Sequence, residues 1–222
     1  MSLPETLAGK TIAVLGGTGP QGRGLARRFA AAGVPVVIGS RSADRAADTA
    51  ASLPGQVTGT ANAGAAAAGD VVVVAVPWDG HGEVLASLRA ELSGKVVVVC
   101  VNPLGFDEHG AYALPVEEGS AAQQAQAILP DSTVVGAFHN VSAVLLDDPE
   151  VASVDTDVLV LGDVLKATGL VQSLCDLIPG VRGIYGGRLR NARQIEALTA
   201  NLISANRRYK VHAGVRITAV QL

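Results

Sequence analysis

The chain is poor in cysteine, in aromatic residues and in long apolar runs. Its two cysteines, Cys100 and Cys175, lie inside a strand-like and a helix-like apolar run respectively. Neither their number nor their spacing makes a disulfide framework or a thiolate metal site, and no metal is expected. Both read as buried thiols of a reducing cytoplasm. Its 17 Lys and Arg against 20 Asp and Glu give a formal net charge of −3, and the basic residues form no long run. That excludes the electrostatic footprint of a nucleic-acid binder. Apolar runs are of strand length, too short to span a membrane, and the opening residues, with Pro4, Glu5 and Gly9, lack the apolar core of a secretion signal. A soluble cytoplasmic protein is therefore expected. With aromatics at 3%, the 49% of hydrophobic residues is largely Ala and Val, which suits strands covered on both faces.

What the chain has is glycine, 26 in 222 residues, and one cluster of it is placed with purpose. The apolar run Thr11 to Leu15 leads into Gly16-Gly17-Thr18-Gly19-Pro20-Gln21-Gly22, so that Gly17, Gly19 and Gly22 match G-x-G-x-x-G. The pattern needs glycine at Gly17 for a tight turn, at Gly19 for close approach of backbone to a pyrophosphate, and at Gly22 for helix packing on the sheet. The anion would sit at the helix N-terminus, where N–H groups are unpaired. Leu25 and Phe29, one helical turn apart, then share a face, and Val34 to Ile38 supplies a second strand. Strand, glycine turn, helix and strand together make the nucleotide-binding setting.

The end of the second strand indicates which nucleotide. An NAD site places a carboxylate there for the ribose 2′-hydroxyl, whereas this chain reads Gly39-Ser40-Arg41-Ser42-Ala43-Asp44-Arg45. Ser40 can donate to a 2′-phosphate, Arg41 can clamp it through its planar fork, and Arg45 adds charge one turn on. The cofactor expected is NADP(H). The competing view makes Arg41 and Arg45 solvated charges at a helix start.

Further along, helices are expected over Ala43 to Leu53, Asn62 to Ala68 and about Gly82 to Leu92. Strands are expected over Val57 to Thr60, Val71 to Val76, Lys95 to Val101 and Thr133 to Ala137. This is a doubly wound, mainly parallel α/β sheet of Rossmann type, whose ligands lie at the carboxyl ends of the strands. Those ends carry the glycine loop, Gly39 to Arg41, Val76-Pro77-Trp78, Asn102-Pro103 and His139-Asn140. After Asp147-Asp148-Pro149 the character changes. A strand at Val158 to Asp163, a helix to about Leu177, a strand near Val181 to Tyr185, a glycine loop over Gly183 to Gly187 and a last helix from about Asn191 are expected. The division expected is an NADP-binding domain over residues 1–146 and a small C-terminal α/β domain over residues 147–222.

Acids and bases are few at that edge. Tyr112 has no lysine four residues on, so the tyrosine–lysine proton relay of short-chain dehydrogenases is unsupported. His139, after a core strand, can bind a substrate carbonyl or orient a ring, or can bond neighbouring backbone. His81 reads as a cap or surface residue at a helix start, and His109 and His212 as isolated. A site without an evident proton donor suits direct hydride transfer between two stacked cofactors. Other possibilities are an NADP-dependent reductase of a small imine, acid or metal substrate, and a non-catalytic NADP-sensing regulator.

In order along nearly the whole chain, Val14-Leu15-Gly16-Gly17-Thr18-Gly19 with Gly22, Gly39-Ser40-Arg41 with Arg45, Val76-Pro77-Trp78, and Phe138-His139-Asn140-Val141-Ser142-Ala143 resemble the NADPH-dependent F420 reductases, also called F420:NADP oxidoreductases. The resemblance implies a homodimer that moves a hydride between NADP(H) and the deazaflavin coenzyme F420, with the C-terminal domain capping the site. It places Thr18, Ser40, Arg41 and Arg45 on the 2′-phosphate and Gly19, Pro20 and Gln21 on the pyrophosphate. Val76, Pro77 and Trp78 fall beside the nicotinamide, and His139, Val141 and Ser142 toward the deazaflavin. Asn102 belongs to the same cofactor edge. Arg207, Arg208 and Lys210 either attract the anionic tail of F420 or complement the last helix's dipole.

Overall fold

The computed structural model describes residues 3–220. Ten strands and nine α-helices alternate along them. The order is β1 (Ile12–Leu15), α1 (Pro20–Ala31), β2 (Val36–Ser40), α2 (Ala43–Ala51), β3 (Val57–Ala61), α3 (Asn62–Ala68) and β4 (Val71–Val74). There follow α4 (His81–Ser87), α5 (Arg89–Leu92), β5 (Val96–Val99), β6 (Leu104–Asp107), β7 (Gly110–Ala113), α6 (Ala121–Ile128), β8 (Thr133–Gly136) and α7 (Ala143–Asp147). The chain ends with β9 (Thr156–Gly162), α8 (Leu165–Asp176), β10 (Val181–Gly187) and α9 (Ala192–Tyr209).

Eight strands form one sheet in the order β10-β9-β8-β5-β4-β1-β2-β3, parallel except where β9 runs against β8. Side chains on a strand alternate between faces, and here both faces are covered. Ile12 and Val14 of β1 enter the core layer with Leu25 and Phe29 of α1, while Ala13 and Leu15 enter the layer with Ala65, Leu85, Leu92 and Ala125. This is why β4 and β5 are unbroken valine rather than alternating polar and apolar. Burying each such side chain contributes ~1.5–3 kcal/mol, so the sheet is the rigid frame for everything at its edge.

Three departures from the sequence pattern have clear causes. The helix expected over Gly82 to Leu92 breaks at Leu88, which leaves the helical region (ψ 12°) between α4 and α5. The Gly183 to Gly187 stretch is strand rather than loop. Its glycines let α8 lie against β10, since a Cβ on Gly183 would stand 2.6 Å from Gln172 Cα, and the register shifts between Tyr185 and Gly187. The hairpin β6–β7, paired Leu104 to Ala113 and Asp107 to Gly110, is an element without a long apolar run to announce it.

The segment after α9 returns across the molecule. Lys210 caps the helix in the left-handed region (φ 54°) and turns the chain back. Its return path is fastened to the start of β9, where Asp157 N–H donates to the Val215 carbonyl at 2.6 Å and Asp157 Oδ2 accepts from Ile217 N–H at 2.6 Å. Arg182 of β10 pairs with both oxygens of Asp157 (2.7 and 2.6 Å), and Arg216 adds a contact of 2.6 Å. The two guanidiniums hold the fully buried Asp157 carboxyl well below the usual carboxylate range. On the other flank α7 is clamped to α1. Arg28 donates to the carbonyls of Leu146 (2.9 Å) and Val151 (2.8 Å), and Gly24 leaves the room that Leu146 fills.

Candidate active site

At the crevice between β1 and β4 the connecting loops diverge, and two cavities of about 690 and 670 Å³ open along the carboxyl edge of the sheet. They share the wall Gln21, Ala75, Val76, Pro77 and Asp79, so they form one continuous cleft. Such a crevice at a topological switch point is where open α/β sheets bind ligands.

The first cavity is built on the glycine loop. Gly16, not Gly17, holds the positive φ (74°), and a Cβ there would stand 2.6 Å from the Ala75 carbonyl oxygen. Gly17 and Gly22 are buried packing glycines. A Cβ on Gly17 would meet Ile38 at 2.5 Å, and one on Gly22 the Gly16 oxygen at 2.6 Å. Gly19 alone faces open space, its nearest obstacle 3.4 Å away, and it caps α1. With Pro20 first in the helix, the N–H groups of the first turn left without a helical partner belong to Gln21 and Gly22, and Gln21 lines the cleft. Thr18, Gly19, Pro20 and Gln21 line this cavity with Ser40, Arg41 and Arg45. Ser40 is nearly buried and accepts from Ser42 N–H (3.3 Å), and Ser42 in turn caps α2 through Arg45 N–H (3.3 Å). Among the described residues neither Arg41 nor Arg45 has an acidic partner within ion-pair distance, and both are exposed. Asn62 at the start of α3 also lines this cavity, with Oδ1 buried and without a partner. Backbone donors at a helix start, a hydroxyl and two free guanidiniums fit a phosphorylated dinucleotide.

The second cavity gathers Trp78, Asn102, His139, Val141 and Ser142. Phe138, ahead of them, has φ 61°, a left-handed conformation that costs a non-glycine residue roughly 1–2 kcal/mol. It is held there by burial, by an edge-to-face contact with Phe29 (6.0 Å) and by Gln21 Nε2 donating to its carbonyl at 3.2 Å. The turn delivers His139, whose ring is 3% exposed, with Nδ1 3.2 Å from Asn102 Oδ1. Burial brings its pKa down to about 4, so the imidazole is neutral at physiological pH. Its carbonyl accepts from Asn102 Nδ2 and Thr199 Oγ1, each at 2.9 Å. Asn140 donates to the Asp157 carbonyl at 2.8 Å and leaves Oδ1 buried without a partner.

Two histidines stand elsewhere than the sequence suggests. His81 is fully buried rather than a surface cap. Its ring packs on Trp78 (centroids 5.6 Å), Nδ1 lies 3.1 Å from Gln124 Oε1, and burial lowers its pKa. His212 is not isolated, for the returning C-terminal segment brings it to the second cavity, 3.3 Å from Ser142 Oγ. Arg207 and Arg208 line a separate recess of about 580 Å³ beside Phe106, and Lys210 forms the helix cap. The residues that sequence reasoning missed are mostly on α9. Thr199, Leu202, Ile203 and Asn206 line the second cavity at spacings of three, four and seven residues, the signature of one helix face.

The sheet, the glycine loop and the paired cavities define a dinucleotide-dependent oxidoreductase of Rossmann type. Residues 11–103 match the family model described as NADP oxidoreductase, coenzyme F420-dependent. The F420-dependent NADP reductase of Methanothermobacter thermautotrophicus is 42% identical over 93% of this chain and 94% of that protein. Its counterpart in Methanocaldococcus jannaschii is 37% identical over 95% and 99%. A crystal structure from Arthrobacter sp. FB24, described as a candidate F420-dependent NADP reductase, superposes with a TM-score of 0.78 at 29% identity, covering 96% of this chain and 100% of that one. This chain belongs to the F420-dependent NADP reductases.

Proposed function

We propose that the enzyme transfers a hydride directly between NADP(H), held in the first cavity, and the deazaflavin coenzyme F420, held in the second. The observation that carries this reading is the shared wall. Gln21, Val76 and Pro77 border both cavities, so two ligands that fill them meet across those residues. When bound, the two rings supply the redox chemistry between them, the nicotinamide giving a hydride that the deazaflavin accepts with a proton from solvent.

The protein's own residues bind, orient and exclude. Ser40, Arg41 and Arg45 hold the 2′-phosphate with Thr18 beside them, and the start of α1 at Gly19, Pro20 and Gln21 holds the pyrophosphate. Val76 and Pro77 line the nicotinamide side, whereas Trp78, expected beside them, faces only the second cavity and so belongs to the F420 side. His139 is kept neutral, and its position with Asn102, Val141 and Ser142 fits a shaped wall rather than a proton donor. Catalysis is then chiefly the holding of two rings in reacting geometry. Residues 147–222, which include α9, cap the F420 side. The exposed apolar side chains Val164, Leu165 and Tyr185 support a homodimer built through that part. The buried free thiols Cys100 and Cys175 support a reducing, cytoplasmic setting. Among the described residues no helix is long and apolar enough to cross a membrane.

Mixing the protein with NADPH and oxidised F420, and following both absorbances together, tests the reading. Coupled loss of the two is expected, and tight NADPH binding without loss of deazaflavin colour would sink it.

A further inference from the structure

Several polar side chains of the second cavity are engaged with one another or with backbone, although Asn140 Oδ1 and His139 Nε2 are buried without partners. Asn102 has both ends of its amide on His139, and Thr199 gives its proton to the His139 carbonyl. Asn140 donates to the Asp157 carbonyl, and Asn206 Oδ1 takes the Ala213 N–H at 2.6 Å. His139 is sealed, with Nε2 turned toward Gly136 and only 3.1 Å from where a Cβ on that glycine would stand.

His212, unlike the buried His139 and Asn140, is exposed. It lines the cavity and spends only Nδ1, on Ser142 Oγ at 3.3 Å. Ser142 caps α7, its oxygen accepting from Leu145 N–H at 3.5 Å, and its hydroxyl proton is available to His212 Nδ1. With Nδ1 engaged by Ser142, Nε2 is the ring nitrogen left for a ligand. The ring therefore offers its second nitrogen to the cavity.

Its placement is built rather than accidental. The left-handed turn at Lys210 and the Asn206 bond to Ala213 fix the segment on either side of it. Gly214 passes so close to β9 that a Cβ would stand 2.7 Å from the Asp155 carbonyl oxygen. Val215, Arg216 and Ile217 are then tied to the buried Asp157. The strap thus fixes the backbone that carries the imidazole beside the cavity.

We infer that His212 is a substrate-recognition residue, donating Nε2–H to an acceptor oxygen or nitrogen on the deazaflavin ring. The inference rests on the reading that this cavity takes F420. Titrating the full chain with F420 alone, by the coenzyme's own fluorescence, separates binding from turnover. His212→Ala should weaken F420 binding about tenfold, the size of one hydrogen bond, while NADPH affinity keeps its original value. His212→Gln, which retains an N–H donor, should recover part of the loss. Amide exchange over residues 211–217 should slow when F420 binds and stay unchanged with NADPH. Undiminished F420 affinity in His212→Ala overturns the inference and leaves the cavity assignment standing. Equal losses for F420 and NADPH, the mark of a strap merely loosened, overturn it as well. If the unmodified chain does not bind F420, the cavity assignment falls and the inference with it.

Discussion

Asn102 grips His139 at two points, its Oδ1 3.2 Å from the ring Nδ1 and its Nδ2 donating to the same residue's carbonyl at 2.9 Å. One side chain at the end of β5 thus fixes both the ring and the backbone of the residue that follows β8. Asn102→Ala removes both contacts and leaves a buried imidazole nitrogen unpaired. A loss of ~1–3 kcal/mol is expected in denaturant unfolding, with a larger drop in turnover with F420 than in NADPH affinity.

The glycine loop separates packing from ligand approach. Gly22→Ala drives a Cβ to 2.6 Å from the Gly16 oxygen, whereas Gly19→Ala meets nothing nearer than 3.4 Å. Gly22→Ala should therefore cost ~1–3 kcal/mol of stability as an overpacked site. Gly19→Ala should unfold like the original protein yet bind NADPH far more weakly. Thermal unfolding and NADPH fluorescence titration on both variants check the contrast.

Arg41 and Arg45 have no acidic partners among the described residues, so their charge is available to a ligand. A hydrogen bond to a charged group contributes ~1.5–3 kcal/mol. Arg41→Ala should accordingly raise the KM for NADPH by about ten- to a hundredfold and leave that for NADH nearly unchanged. Equal effects on the two would refute a 2′-phosphate role.

Two buried carboxylates give stability opposite pH dependences. Asp157, held well below the usual range by Arg182 and Arg216, adds stability above its unfolded value of about 4 and loses it as pH falls further. Glu196 is 2% exposed and accepts from the N–H groups of Ala121 (2.8 Å) and Ala122 (3.1 Å) at the start of α6, and burial pushes it up to about 7. The folded state then takes up a proton before the unfolded chain does, so stability falls as pH rises from about 4 to about 7. Thermal unfolding should show the lowest midpoints in acid below about 4 and a decline toward neutrality. Glu196→Gln should flatten the upper limb, and Asp157→Asn should lose ~3 kcal/mol at neutral pH.

Much of this was legible in the residues. The apolar run of β1, the valine runs of β4 and β5 and the spacing of Gly17, Gly19 and Gly22 are local signals, and they locate the first half of the sheet and the nucleotide cavity. The positive φ at Gly16 was hidden because two adjacent glycines share the motif's first place. Contacts made across long stretches of chain left no such mark. Ser142 meets His212 seventy residues away, and Glu196 meets the start of α6 some seventy-five residues away. His81 looks like a cap because it does begin α4, and only the packing of Trp78 and Gln124 buries it. The cavity face of α9 was readable from its spacing alone, once a reason existed to seek one.

The central claim is direct hydride transfer across the wall shared by the two cavities. It is tested most directly by running the reaction with NADPH deuterated at the transferred position of the nicotinamide ring and analysing the reduced deazaflavin by mass spectrometry. The label should be recovered on reduced F420 with no loss to water. Loss of label to solvent, or NADPH bound without any label reaching F420, would contradict that claim.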